Sequence, residues 1–86
     1  SMELDVLLAR ACYYDLYQQP QLAMECLNQA VALQAGFTPA LVEKARLLMS
    51  IGDWDLANEV VTRVLSMEPD NLEALRLMAL YTVTRE

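Results

Sequence analysis

The chain repeats itself every 34 residues. Leu7, Leu41 and Leu75 stand in one register, and Ala11, Ala45 and Ala79 stand in another. Ala23 pairs in the same way with Ala57, Leu27 with Val61, Ala30 with Val64, and Leu33 with Met67. A period of this length with apolar residues at helical spacing constrains the chain to a stacked helix–turn–helix array. One such unit cannot bury its apolar face alone, so its neighbours must cover it. Arrays of this kind present extended surfaces to other proteins. The expected role is therefore contact rather than catalysis.

Turn signals fall at helical intervals and divide the chain into five predicted helices. The first runs from about Glu3 to Gln18, with Leu4, Leu7, Leu8, Ala11, Tyr14 and Leu16 as its apolar stripe. Pro20 suits the first turn of the second helix, where a missing N–H costs nothing. That helix is expected to reach about Gln34 and to bury Leu22, Ala23, Cys26, Leu27, Ala30 and Leu33. Gly36 is then free to take a left-handed conformation, with Thr38 capping and Pro39 opening the third helix. Gly52 ends the third helix, and Asp53 caps the fourth with Asp55 close to its positive end. Glu68-Pro69 closes the fourth helix, and Asp70 with Glu73 reads as a capping box for the fifth.

Composition narrows the partner class. The net charge of −6 and the scatter of Arg10, Lys44, Arg46, Arg63, Arg76 and Arg85 argue against nucleic acid, because phosphate binding relies on clustered cations. No apolar run approaches the roughly 18 residues that a membrane span needs. Hydrophobic residues make up 56% of the chain, above the ordinary level of about 45–50%. A longer array, whose units bury both faces, tolerates that excess better than a free-standing domain. Ser1-Met2 reads as the scar of a cleaved tag.

Histidine is absent, which removes Ser-His-Asp and Cys-His catalysis from this chain. The two glycines form no phosphate loop, and Cys12 and Cys26 match no zinc spacing. The thiols are expected to be buried or half-buried and free, with a disulfide between the first two helices as the lesser alternative. Asp53 and Asp55 read as helix-capping groups rather than a metal pair. No catalytic residue, cofactor or metal follows from the sequence. Tyr13, Tyr14 and Tyr17 cluster on the first helix, either packing on a neighbouring helix or anchoring a partner. The five methionines are expected to fill core.

The stretch Gly52-Asp53-Trp54-Asp55-Leu56-Ala57, followed by Leu65-Ser66-Met67-Glu68-Pro69-Asp70-Asn71, resembles the tetratricopeptide repeat. Ala11, Ala45 and Ala79 match the family's small residue in helix A, and Ala23 and Ala57 match the one in helix B. Pro69 matches the closing proline, whereas Ala35 stands in that place one repeat earlier. Arg10 and Lys44 occupy positions where the family usually carries a large apolar residue. The resemblance implies an all-α solenoid of about five antiparallel helices in a right-handed superhelix. Residues 3–37 would form the first repeat, 38–71 the second, and 72–86 the first helix of a truncated third.

A narrower likeness joins Phe37-Thr38-Pro39-Ala40-Leu41-Val42, Asp53-Trp54-Asp55 and Asn71-Leu72-Glu73-Ala74-Leu75-Arg76, continued by Leu80-Tyr81 and Arg85-Glu86. These are similar to an early segment of one branch of the family, the large all-repeat subunits of the ciliary intraflagellar transport complex A. That branch implies a scaffold segment in retrograde transport, intracellular and reducing, in cilium or cytoplasm, whose partners are other subunits of a multiprotein complex. The alternative is an adaptor that captures partner segments in its groove.

The resemblance places Asp5, Leu8, Cys12 and Asp15 in the concave groove, with Val42, Arg46 and Met49, and then Glu73, Arg76 and Leu80. Leu8 and Cys12 stand where co-chaperones of the family carry the Lys and Asn of a carboxylate clamp, so that clamp is absent. A groove of apolar and acidic groups suits a basic or amphipathic helix. On the fifth helix Leu72, Leu75, Leu77, Met78, Ala79, Leu80, Tyr81 and Val83 cover most of the circumference. A helix apolar nearly all round expects neighbours on both sides. Leu72, Leu75, Leu77, Met78, Leu80, Tyr81 and Val83 are accordingly the predicted surface for self-association or for a following helix.

Overall fold

The computed structural model describes residues 2–86; Ser1 of the expected Ser1-Met2 scar lies outside them, and Met2 opens the first helix. The helices are α1 (Met2–Leu16), α2 (Pro20–Leu33), α3 (Thr38–Ser50), α4 (Trp54–Met67) and α5 (Leu72–Thr84). No strand occurs among the described residues. Turns of only three or four residues join them, which makes successive helices antiparallel neighbours. α1 packs on α2 and α3 on α4, while α1, α3 and α5 also touch in sequence. The shortest extent, 17 Å, leaves room for two helix layers and no more. The chain is an all-α helical-repeat solenoid.

Two apolar clusters hold it together. In the first, Leu4, Leu7 and Ala11 of α1 meet Ala23, Cys26, Leu27 and Ala30 of α2, and Ala40 and Leu47 of α3 close it. In the second, Leu41, Val42, Ala45, Leu48 and Met49 of α3 meet Ala57, Val60, Val61 and Val64 of α4, closed by Ala74 and Leu77 of α5. α3 serves both clusters from opposite sides, and Met24 and Val31 of α2 bridge them. Alanines stand where side-chain bulk would hold the helices apart.

Several boundaries differ from the sequence reading. α1 ends at Leu16 rather than Gln18, and α2 at Leu33 rather than Gln34. Leu16, Leu22 and Leu33, expected in the core, are exposed. Cys12 is exposed too, and only Cys26 is buried; both are free thiols, without a disulfide between them. Tyr14 packs on the first cluster, but Tyr13 and Tyr17 are exposed, their tilted rings in contact with centroids 4.8 Å apart. Thr38 does not cap α3. Phe37 holds that position, and Thr38, inside the helix, donates its hydroxyl to Glu68 at 2.8 Å. Asn71 rather than Asp70 caps α5, accepting from the Ala74 N–H at 2.9 Å. Asp53 caps α4 as expected, accepting from Leu56 N–H.

The left-handed residue is not Gly36 but Gln18, at φ 58°, with Gly52 at φ 87° exactly one period on. Both close a helix in the same way. The Gln19 N–H reaches back to Tyr14 O and Gln18 N–H to Asp15 O, as Asp53 and Gly52 reach Leu48 and Met49. This paired closure requires a left-handed residue, which is unstrained for glycine and costs a side-chain-bearing residue about 1–2 kcal/mol. Gln18→Gly is therefore expected to stabilise the fold, and Gly52→Ala to destabilise it by about 1 kcal/mol in urea unfolding. Gly36→Ala is expected to be neutral or slightly stabilising, since its new Cβ would lie 3.8 Å from the Met67 Sδ. A loss at Gly36 equal to that at Gly52 would contradict this assignment.

Candidate protein-binding groove

The odd-numbered helices lie side by side, and residues of all three, with the turn before α5, frame a shallow cavity of about 390 Å³. Leu8 and Cys12 of α1, Val42 and Arg46 of α3, and Glu73 of α5 line it, five of the residues expected there. Thr38, Pro39, Glu43, Glu68 and Asn71 complete the wall. The other expected residues lie elsewhere. Met49 is buried in the second cluster, while Asp5, Arg76 and Leu80 are exposed outside the cavity. Asp15 faces a separate hollow with Gln18, Pro20, Leu47, Ser50 and Ile51.

The added wall residues explain the chemistry of the groove. Arg46 hydrogen-bonds Glu43 on its own helix and Glu73 on α5, and Glu73 also accepts from Arg76 at 3.1 Å. This Glu–Arg–Glu–Arg chain ties α3 to α5 across the groove floor. Its members are partly exposed, so each pair is worth at most about 1 kcal/mol. Its greater effect is to occupy the one cation of the lining, leaving Glu43, Glu68 and Glu73 against Arg46 alone. Beside them the Cys12 thiol, on a largely exposed residue, is held above the usual range, first by partial desolvation and then by the charges of Glu43 and Asp15. It stays a neutral thiol, a poor nucleophile.

Glu68 ties the α4–α5 turn to the first residue of α3. Its carboxylate accepts from the Asn71 amide at 3.0 Å and from Thr38 at 2.8 Å, and these bonds hold it below the ordinary glutamate range. A carboxylate with a lowered native pKa adds stability that is full above its unfolded value and drains as pH falls through the native one. Glu68→Gln is expected to flatten the acid limb of the stability–pH curve, read as urea midpoints below about pH 4.5. An acid limb identical to the parent's would show that Glu68 does not contribute.

Of the surface expected on α5, Leu77 is buried in the second cluster and Met78 and Tyr81 pack against it. Leu72, Leu75, Leu80 and Val83 are exposed. Among the described residues no group of three metal-ligating side chains gathers, and no helix is long and apolar enough to cross a membrane.

The model for the tetratricopeptide repeat protein 21 N-terminal ARM repeat matches residues 1–58. The chain belongs to the tetratricopeptide repeat protein 21 family. Human tetratricopeptide repeat protein 21B is 39% identical over 80 residues, which is 93% of this chain and 6% of that protein. The Xenopus laevis 21B protein is 32% identical and human tetratricopeptide repeat protein 21A 30% identical, over the same shares. This member of the tetratricopeptide repeat protein 21 family thus spans a small part of the length of its relatives. No solved structure matches it. Although the family model is described as an ARM repeat, the helices here pair at a 34-residue step. Armadillo units run to about 40 residues or more.

Sequence reasoning missed Thr38, Pro39, Glu43, Glu68 and Asn71 as groove residues. Thr38 shares its register with the core residue Leu4, and Glu68 and Asn71 sit in a turn. Only the stacking of α3 beside α5 brings them to one wall.

Proposed function

We infer that the chain is a protein–protein interaction scaffold segment of a long repeat subunit serving retrograde intraflagellar transport in cilia. The observation that carries this reading is coverage: relatives align with 93% of this chain and 6% of their own length. A short slice of a long array contributes by holding neighbours in place, since each unit contacts only what lies beside it. In this reading residues 3–37 and 38–71 are whole repeats and 72–86 begin a third. The setting is intracellular and reducing, consistent with the free thiols Cys12 and Cys26. The partners are other subunits of the complex. Cross-linking of the full-length parent chain tests it: stable neighbours on the convex or edge surface are expected. A short peptide captured in the groove as the principal contact would contradict it.

That contrary outcome is the second reading, an adaptor, and the acid excess of the groove favours it. Its ligand would be a basic amphipathic helix, with apolar residues on Leu8, Val42 and Pro39 and cations on Glu43, Glu68 and Glu73. A Lys-rich amphipathic peptide would then shift the NMR signals of Leu8 and Val42, with affinity falling as salt rises.

A further inference from the structure

A hollow of about 370 Å³ opens between the C-terminal ends of α1 and α3 and the start of α2, lined by Asp15, Gln18, Pro20, Leu47, Ser50 and Ile51. A second, of about 340 Å³, shares Pro20 and Ile51 with it and adds Gln21 and Met24. The walls come from the α1–α2 and α3–α4 pairs, both of which the structure holds. The opening therefore does not depend on what precedes α1 or follows α5. One period on, large side chains take the same places: Trp54 stands for Pro20, Tyr81 for Leu47 and Arg85 for Ile51. Trp54 packs on the second cluster. Arg85 lies over the Tyr81 ring, 5.6 Å from its centroid, and pairs with Asp55 at 3.6 Å. At that step the fold seats an aromatic ring and a cation of its own. At the earlier step it supplies neither. Pro20 is small, Ile51 is 55% exposed, and among the described residues no cation pairs with Asp15.

We propose that a partner protein supplies both, inserting a tryptophan side chain against Pro20 and Ile51 and setting a lysine or arginine beside it against Asp15. The hollow is at the small end of the roughly 300–1,000 Å³ range of ligand cavities, which suits one large side chain and not a helix. A buried indole needs an acceptor for its N–H, and the Gln18 and Ser50 side chains offer one at the rim. The contact gives the scaffold reading one named edge, and rests on that reading in needing a protein partner. A single inserted side chain buries far less than a standard interface, so an isolated peptide binds weakly.

Ile51 is the only isoleucine of the chain, so its δ1 methyl is a single NMR signal at the site. The probe is a blocked peptide with one tryptophan between two lysines, titrated into the 86-residue chain to several millimolar. The Ile51 methyl is expected to move upfield and saturate, while Leu8 and Val42 of the groove stay in place. A peptide with leucine for the tryptophan should not displace the probe, and one with glutamates for the lysines should bind more weakly. Asp15→Asn, on an exposed side chain, is expected to weaken binding about three- to fivefold. Pro20→Trp, which copies the place of Trp54, should move the methyl upfield without peptide and abolish saturable binding. Circular dichroism checks that both variants stay helical, and Asp15→Asn decides if Pro20→Trp unfolds. No saturable shift, a shift led by Leu8 and Val42, displacement by the leucine peptide, equal binding of the glutamate peptide, or binding unchanged by Asp15→Asn would each overturn the proposal. Edge neighbours on the cross-linked parent chain without a shift at Ile51 would remove this site alone. A groove-captured peptide beside a saturating Ile51 shift would remove the scaffold reading alone.

Discussion

Leu41→Ala is expected to cost about 2–5 kcal/mol, whereas Leu75→Ala, in the same register one period later, should cost less than about 0.5 kcal/mol. Leu41 is fully enclosed between α3 and α4, so removing its branched end strips apolar contacts and leaves a cavity that the neighbouring Ala45, Ala57 and Val61 are too small to fill. Leu75 has water on the side where Leu41 has α4. A domain of this size has a total stability of roughly 4–13 kcal/mol, so the Leu41 variant loses a large part of it. Urea unfolding of the two variants beside the parent measures both. Equal losses would mean that the repeat's sequence register, rather than the cover supplied by α4, decides how much a leucine contributes.

Ala45→Leu is expected to lower stability by about 1–3 kcal/mol through the opposite defect, too much volume. Ala45 and Ala57 are both completely buried, in the one cluster where α3 and α4 pack. Three added carbons have no void to enter, so either the helices separate or a side chain leaves its preferred rotamer. At about 4–8 °C of melting temperature for each kcal/mol in a domain of this size, the shift is easily read by thermal unfolding. Ala79→Leu, at the corresponding exposed position of α5, should leave the melting temperature of the dilute chain nearly unchanged. An Ala45→Leu protein that melts with the parent would show that the α3–α4 crossing has slack.

Much of the fold is legible in the sequence because the repeat is legible. The registers of Leu7 and Leu41 and of Ala11 and Ala45 point into the core, and Pro20, Pro39 and Asp53 mark helix starts. What was misread lies at helix ends. Gln18 adopts the left-handed conformation that composition would assign to Gly36, because closure of α1 requires it at that step of the period. Thr38 and Asp70 look like caps by type, yet Phe37 and Asn71 hold those positions, since capping follows the backbone's path rather than the residue's name. Leu16 and Leu33 are apolar but, as the last residues of α1 and α2, remain largely exposed. The groove was half legible. Leu8, Cys12, Val42, Arg46 and Glu73 meet there, while Met49 turns into the core and Asp15 to another hollow.

The 34-residue period therefore determined, on its own, that the chain is a helical array and which face of each helix carries its apolar register. It could do so because helix packing is a local rule, repeated at fixed spacing. Whether a given copy of that register is buried was decided only by the tertiary structure. Leu7, Leu41 and Leu75 are identical in type and phase, and they differ solely in whether a helix lies over them. The groove's charge was settled in the same way, since Arg46 meets Glu73 only where α3 and α5 lie side by side. Burial and pairing between distant residues depend on which elements come to lie against one another, and a one-dimensional pattern does not carry that information.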